Sequence, residues 1–503
     1  MKRGLTSFTR VTARAWLAGL ALAAGCGTEP ESPRSEPTTA PAADAVAGEA
    51  ANSAAKRPFN VVLITLDTVR ADALGAYGQP LENSPTLDRL AAEGVLFERA
   101  SSSAPSTLPS HATIMTGQFP FSHGVRSNAG YVLPDASVTL AEIFRERGYR
   151  TAAEIAAPVL DRKTGMDQGF DRFRDLGAAG VERIRTEIRD EGGAARMQVL
   201  EERAAEDVTR SAKTFVTHNR QRPFFLWLHY FDAHQSYIPR PEFQAQLPND
   251  PYHAEILYAD HQIGLLIRHL EDVGLREQTL VVIVSDHGEG LGEHGESSHA
   301  YYLYDTTMRV PLLFWGPPQL PAGRRVAAVV RTADIAPTIL DVVGIPVPPE
   351  MQGVSLLPLV SGERDDLDLA AYGESAEIAS LFNGSVLRSL RHGDWKYVHQ
   401  VPPELYDIAS DPGETRNLAP SQPEKVALLR QRLESLVGAA PSSPGGAAVP
   451  VGQEVAQQLQ ALGYVAVGDT AGIEEELATL AVHGPSPPSL AADIERYSTA
   501  MGM

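Results

Sequence analysis

The chain has 503 residues, 43% of them hydrophobic, and carries 43 Lys and Arg against 63 Asp and Glu for a formal net charge of -20. That is enough apolar material for a large core and for more than one domain or subdomain. With no dense Lys/Arg stripe in the body, the acidic balance argues against nucleic acid as the main partner, because a phosphate backbone calls for a basic surface.

In chain order, Lys2, Arg3, Arg10 and Arg14 lead into the apolar run "AWLAGLALAAGC", which has the length and small-residue ending of an export signal. It is shorter than the roughly 20 apolar residues a membrane span requires. Cys26, the only cysteine, ends this run and resembles the lipidated cysteine of a bacterial lipoprotein box, although Ala23 stands where such boxes prefer Leu. Residues 1–26 are therefore expected to be a lipoprotein signal peptide. Residues 27–57 are rich in Pro, Ala, Ser, Thr and Glu and cannot build a core, so they read as a tether. A second low-order stretch, "GAAPSSPGGAAVPVG", opens a linker and C-terminal extension at 438–503.

Between these limits, "FNVVLITL", "PFFLWLHYF", "TLVVIVSD" and "VPLLFWG" are short continuous apolar runs, the pattern of buried strands. "SPTLDRLAAEGV", "TLAEIFRERGY" and "ADHQIGLLIRHLEDVG" carry helical spacing between them. The alternation predicts an α/β fold with a mixed, mostly parallel central sheet flanked by helices. In such sheets chemistry gathers beyond the carboxyl ends of the strands. Asp67 ends the first run, and Asp286 and His287 end the third. Two carboxylates and an imidazole, joined by a hydroxyl, suit a divalent metal; the histidine favours Zn or Mn over Ca. Solvated strand-end aspartates are the alternative on spacing alone.

From residue 58 to about 435 the chain resembles the sulfatase family of the alkaline phosphatase superfamily. The matching segments stand in family order: "NVVLITLDTVRADALGAYG", "TLPSHATIMTG", "HGVRSN", "FDAHQSY", "SDHGEGLGEHG", "RVPLLFWGP", "TADIAPTILDVVG", "WKYV" and "ELYDIASDPGETRNLA". The resemblance implies a catalytic α/β domain over 58–362 and a smaller C-terminal α+β subdomain over 363–437, in which Lys396 and residues 404–418 are structural. The family's signature, C-x-P-S-R-x-x-L-L-T-G, carries a Cys or Ser that is converted to formylglycine. Counting back from Thr116 and Gly117 places Thr107 at that position, Pro109 on the Pro, Ser110 on the Ser and His111 on the Arg. A frame shifted to put Ser103 at the reactive position is out of step with "MTG". Thr107 and Ser110 are also plausible helix caps.

The resemblance implies metal ligation by Asp67, Thr107, Asp286 and His287, with one or two ions, since phosphate-transferring relatives use a metal-bound Thr as nucleophile. Other positions depart from the family's sulfate clamp. Thr68 follows Asp67 where a second Asp is usual, "AAEIAAP" stands where "GKWH" is frequent, and Ala300 takes a Lys position. His111, His234, His299 and Asn128 are left to hold the anion or the leaving group, with His299 also open to a metal or a surface role. His229 reads as a satisfied core residue and His294 as a loop residue. The expected activity is hydrolysis of phosphate or sulfate esters of a small molecule, glycan or lipid through a covalent Thr ester, in an exported, lipid-anchored protein on the periplasmic or cell-surface side. A phospho-group transferase and a non-catalytic glycan-binding or structural surface lipoprotein are the alternatives.

Overall fold

In the computed structural model, the described residues are 58–439 apart from 81, 178–180, 190–194 and 383, with scattered positions between 476 and 496. The expected signal peptide with Cys26, the tether, and most of 438–503 lie outside them.

Among the described residues there are fourteen strands: β1 (Asn60–Leu66), β2 (Val95–Ser101), β3 (Arg150–Glu154), β4 (Arg172–Arg174), β5 (Val181–Arg189), β6 (Ala195–Arg203), β7 (Phe224–Tyr230), β8 (Thr279–Ser285), β9 (Arg309–Trp315), β10 (Arg324–Arg331), β11 (Ala370–Ser375), β12 (Leu387–His392), β13 (Trp395–His399) and β14 (Glu404–Asp407). Eight form one sheet in the order β10-β2-β9-β8-β1-β7-β3-β4, in which only β9 runs against its neighbours. The mixed, mostly parallel sheet expected from the alternation is therefore present. β1, β7 and β8 are buried along their whole length, which is why they read as unbroken apolar runs. The helices Pro85–Glu93, Leu140–Glu146 and Pro251–Asp272 match the three helical patterns. β5 and β6 form a separate hairpin.

β11 to β14 build a four-stranded antiparallel sheet, the smaller C-terminal element. Tyr372, Leu390, Tyr397 and Leu405 pack there with Leu429 and Leu433 of the helix Pro423–Gly438. Lys396 is buried in an ion network, 2.9 Å from Asp305 and 2.8 Å from Glu414, and Arg391 lies 2.7 Å from the other oxygen of Asp305. The structural role expected of Lys396 is visible in these contacts. No described helix is long and apolar enough to cross a membrane.

Candidate active site

β1 is flanked by β7 and β8, with Leu66 in register with Tyr230 on one side and Ser285 on the other. The ladder runs one residue further on both sides, because Asp67 N–H donates to Tyr230 O (2.9 Å) and Asp286 N–H to Leu66 O (3.2 Å). Both aspartates are thereby fixed by backbone at the carboxyl end of the sheet. Thr68 follows at φ 58°, an uncommon backbone region for a β-branched residue, and its hydroxyl donates to Ala233 O at 2.8 Å. It is thus turned away from the aspartates.

Thr107 is the first residue of the helix Thr107–Thr116, which ends on Gly117 at φ 65°. Neither Thr107 nor Ser110 caps it. Thr107 Oγ1 lies 3.3 Å from His287 Nε2, and Ser110 donates to Asp286 O at 2.7 Å, beside Ser102 at 2.6 Å. Asn128 does the capping from outside: its Oδ1 accepts the Leu108 N–H at 2.7 Å, while its Nδ2 is buried without a partner. Ser103 lies 3.5 Å from the hydroxyl of Thr332, and no contact joins it to Thr107 or the aspartates.

Around Thr107 the site is a closed set of carboxyls and imidazoles. His287 Nε2 lies 3.4 Å from Asp286 Oδ2 and 3.8 Å from Asp67 Oδ1. His287 Nδ1 donates to Gly288 O at 2.9 Å, which leaves the Nε2 lone pair facing the aspartates. His299 Nδ1 pairs with Glu289 Oε1 at 3.0 Å, and Tyr237 donates to the other Glu289 oxygen at 2.9 Å. The His299 ring centroid is 4.5 Å from that of His287 and 5.0 Å from that of His234. His234 stacks on Phe231 and donates from Nδ1 to its neighbour's carbonyl, Gln235 O. His111 donates from Nδ1 to Thr107 O at 2.8 Å.

The structure therefore gathers Asp67, Thr107, Asp286, His287, His234 and His299, with Asn128 at the helix start. His111 sits deeper than a residue placed to grip a substrate: it is fully buried and its ring contacts Trp227 and His229. His229 is the residue the sequence misplaces. It is buried, but neither ring nitrogen has a hydrogen bond, and its Nε2 is 3.2 Å from Asp67 Oδ2. Nothing in the sequence marks Tyr237, and Glu289 shows only as the acid two residues after His287 in "HGEG". His294 stacks on Tyr304, away from this cluster.

Burial governs the charges. It raises Asp67 well above the usual carboxyl range, with Glu289 adding to the effect, and raises Asp286 with Asp67 adding. Burial lowers His229 and His299 to about 3 and holds His111, His234 and His287 well below their ordinary value. Carboxyls that cannot ionise alone beside imidazoles that stay neutral form a donor set that a divalent cation completes, taking the place of the protons. The unpartnered oxygens of Asp67 and Asp286 Oδ2 fit this. The roughly 3.4 Å spacing from His287 to Asp286 and to Thr107 is what ligands about 2.1 Å from one ion would show.

Residues 59–345 match the sulfatase family model, and 292–438 match the C-terminal model of N-sulphoglucosamine sulphohydrolase. The chain belongs to the sulfatase family. An ulvan-active sulfatase of Formosa agariphila is 28% identical over 403 residues, spanning 71% of this chain and 76% of that one. Among solved structures, a protein in complex with its substrate D-glucosamine-2-N,6-O-disulfate aligns with a TM-score of 0.61 at 22% identity, covering 76% of this chain and 97% of that one. The phosphonate monoester hydrolase of Agrobacterium radiobacter aligns with a TM-score of 0.60 at 24% identity, covering 76% and 96%. This sulfatase-family chain is accordingly an ester hydrolase of a metal-dependent family.

Proposed function

We propose that the protein hydrolyses phosphate or sulfate esters with unmodified Thr107 as its nucleophile. The observation that carries this reading is the Thr107 hydroxyl at the head of its helix, 3.3 Å from His287 Nε2 and grouped with Asp67 and Asp286. Asp67, Thr107, Asp286 and His287 would hold a divalent metal, Zn or Mn in preference to Ca given the imidazole. When bound, that ion lowers the pKa of the Thr107 hydroxyl and offsets the charge of the tetrahedral group.

Thr107 Oγ1, its acidified hydroxyl having released its proton to solvent, attacks phosphorus or sulfur, the bond to the alcohol oxygen breaks, and the leaving oxygen takes a proton from His299. Glu289 at Nδ1 orients that ring and shares its proton. Asn128 Nδ2 is the free donor for an anion oxygen. Water then hydrolyses the Thr ester. The relatives that act on ulvan or bind a sulfated sugar support a sulfated glycan as substrate, whereas an unmodified Thr favours phosphoryl transfer. Matched aryl sulfate, phosphate monoester and phosphodiester substrates decide between them.

Thr107→Ala should lower kcat by several powers of ten, as loss of a covalent nucleophile does, and Thr107→Ser should keep part of it. Peptide mass spectrometry of active enzyme should show unmodified Thr107. Full activity in Thr107→Ala, or an aldehyde at Ser103, defeats the assignment.

The same reading includes export and lipid attachment at Cys26, supported by the basic, apolar and small-residue order of the leader. Cys26→Ala should move active protein from the membrane pellet to the soluble fraction. Protein that stays with membranes after a high-salt wash rules out Cys26 as the anchor.

A further inference from the structure

We infer that the C-terminal extension positions the leaving-group acid: its described residues form a strap, closed by Ile494, that keeps the turn after His299 in its working shape. This rests on the role proposed for His299 and brings to it a part of the chain that the catalytic scheme does not use.

The strap is anchored on the C-terminal sheet. Glu476 Oε2 accepts the Val386 N–H at 2.7 Å, its carbonyl accepts from the Arg388 guanidinium, Ser385 donates to Gly484 O at 2.8 Å, and His399 Nε2 donates to Leu480 O at 2.9 Å. Glu476 and Arg388 are buried, so water does not compete for these bonds. Further along, Leu490 and Ile494 stand four residues apart in helical backbone and therefore share one face. Both pack with Ile378 of the helix Glu377–Phe382. A Cβ on Gly384 would lie 2.4 Å from Ile378 Cγ2 and 2.9 Å from Leu490 Cδ1, so the backbone there passes between the two side chains. Ile494 is 1% exposed, in one buried cluster with Tyr301, Tyr302, Leu303, Ile378 and Leu387.

What this cluster holds is a strained turn beside the acid. Ala300, directly after His299, has φ 86°, a left-handed conformation that persists at an alanine only where the surroundings over-determine it. Ser375 donates to Ala300 O at 2.6 Å, and Glu296 Oε1 accepts the N–H groups of Tyr301 and Tyr302 at 3.0 and 3.2 Å. Those bonds fix the backbone after His299. The tyrosine side chains are fixed by the apolar cluster, in which Tyr301 meets Phe382 edge-on with ring centroids 6.1 Å apart. Removing the Ile494 side chain opens a cavity in that cluster, and the strained turn relaxes toward it. The His299 ring, held 3.0 Å from Glu289 at the other end of the same turn, then loses its aim on the leaving oxygen. A misplacement of about 1 Å at a reacting group can cost on the order of a hundredfold in rate.

The test compares kcat/KM, which covers only the steps up to release of the alcohol, for a 4-nitrophenyl ester and a phenyl ester of the group the enzyme turns over. Nitrophenolate leaves readily without a proton, whereas phenolate is the stronger base and draws on the acid. Ile494→Ala in the full chain should lower kcat/KM about tenfold or more for the phenyl ester and less than about threefold for the nitrophenyl ester. Ile494→Val, which refills most of the cavity, should recover most of the loss. If Ile494→Ala does not fold, Leu490→Ala should show the same selectivity in smaller measure. His299→Gln should lose the phenyl ester selectively and by a larger factor. Equal losses on both esters in Ile494→Ala, or none on either, beside a selective loss in His299→Gln overturn the strap and leave the acid standing. Equal losses in His299→Gln overturn the acid assignment and the strap's role with it.

Discussion

At residue scale, the site shows which identities a sequence exposes. Asp67, Asp286 and His287 are legible because they follow directly on the ends of two buried strands, where the chain leaves the sheet. Thr107 was legible only through the register of its motif, since nothing in "PSTLPS" distinguishes one hydroxyl from another. His229 was not legible: it stands inside "FFLWLHY", where an imidazole between aromatic residues looks like core, and only the paired register of β7 with β1 brings it to Asp67. Glu296, in the same loop as Glu289, carries a prediction of its own. One of its oxygens accepts from the backbone of Tyr301 and Tyr302, the other has no partner, and burial raises its carboxyl from 4.5 to about 8. A carboxyl whose folded pKa is raised contributes stability that is fully present below about pH 4.5 and is lost as pH rises through about 8. Glu296→Gln keeps the acceptor and cannot ionise. Its melting temperature should match the unaltered chain's near pH 5 and exceed it near pH 9, by a stability difference on the order of 3 kcal/mol. Melting curves that stay parallel across that range would refute a buried neutral Glu296.

At the scale of elements, the continuous apolar runs became β1, β7, β8 and β9, and all four lie at the centre of the sheet. The other strands of that sheet, β2, β3, β4 and β10, carry no such run. β2 contains Glu98 and Arg99, β10 is an edge strand with exposed Arg325, and β3 and β4 are only five and three residues long, so none presents an unbroken apolar signal. The glycines of "HGEGLGEHG" illustrate how a spacing acquires its meaning only from the fold. A Cβ on Gly288 would lie 2.0 Å from Thr306 O, and one on Gly290 would lie 2.5 Å from the carbonyls of Glu296 and Ser298. These glycines let the backbone after β8 press against two other segments, with Gly288 N–H donating to Thr307 O and Glu289 N–H to Thr306 O. That packing holds Asp286, His287 and Glu289 in place. It explains the glycines without any bound pyrophosphate, in keeping with the acidic residues among them.

At the scale of the whole molecule, the C-terminal sheet supports the site. Glu374 N–H on β11 donates to Ser103 O, Ser375 donates to Ala300 O, and Glu377 accepts from Ser127 beside Asn128. The strongest tie is Lys396 on β13, which reaches Asp305, the residue that begins the segment whose Thr306 and Thr307 carbonyls hold the loop after β8. Although burial opposes it, Arg391 and Lys396 keep the Asp305 carboxyl well below its usual range; burial instead pushes Glu414, which relies on Lys396 alone for its cation, up to about 7. Lys396 is 3% exposed and Glu414 2%, so solvent cannot replace a missing partner. Lys396→Met keeps the aliphatic stem but leaves two buried acids sharing one cation, Arg391. It should cost about 3–5 kcal/mol in urea unfolding, the usual penalty for breaking a buried pair. Because the loop after β8 leans on this segment, the variant should also bind metal more weakly at temperatures where it remains folded. Lys396→Arg, which preserves the charge, should recover most of the stability. A loss below about 1 kcal/mol in Lys396→Met, of the size expected for a solvent-exposed pair, would show that the ion network does not join the two sheets. Full stability loss with unchanged metal affinity would show that the C-terminal sheet is a clamp for the fold and not a support for the site.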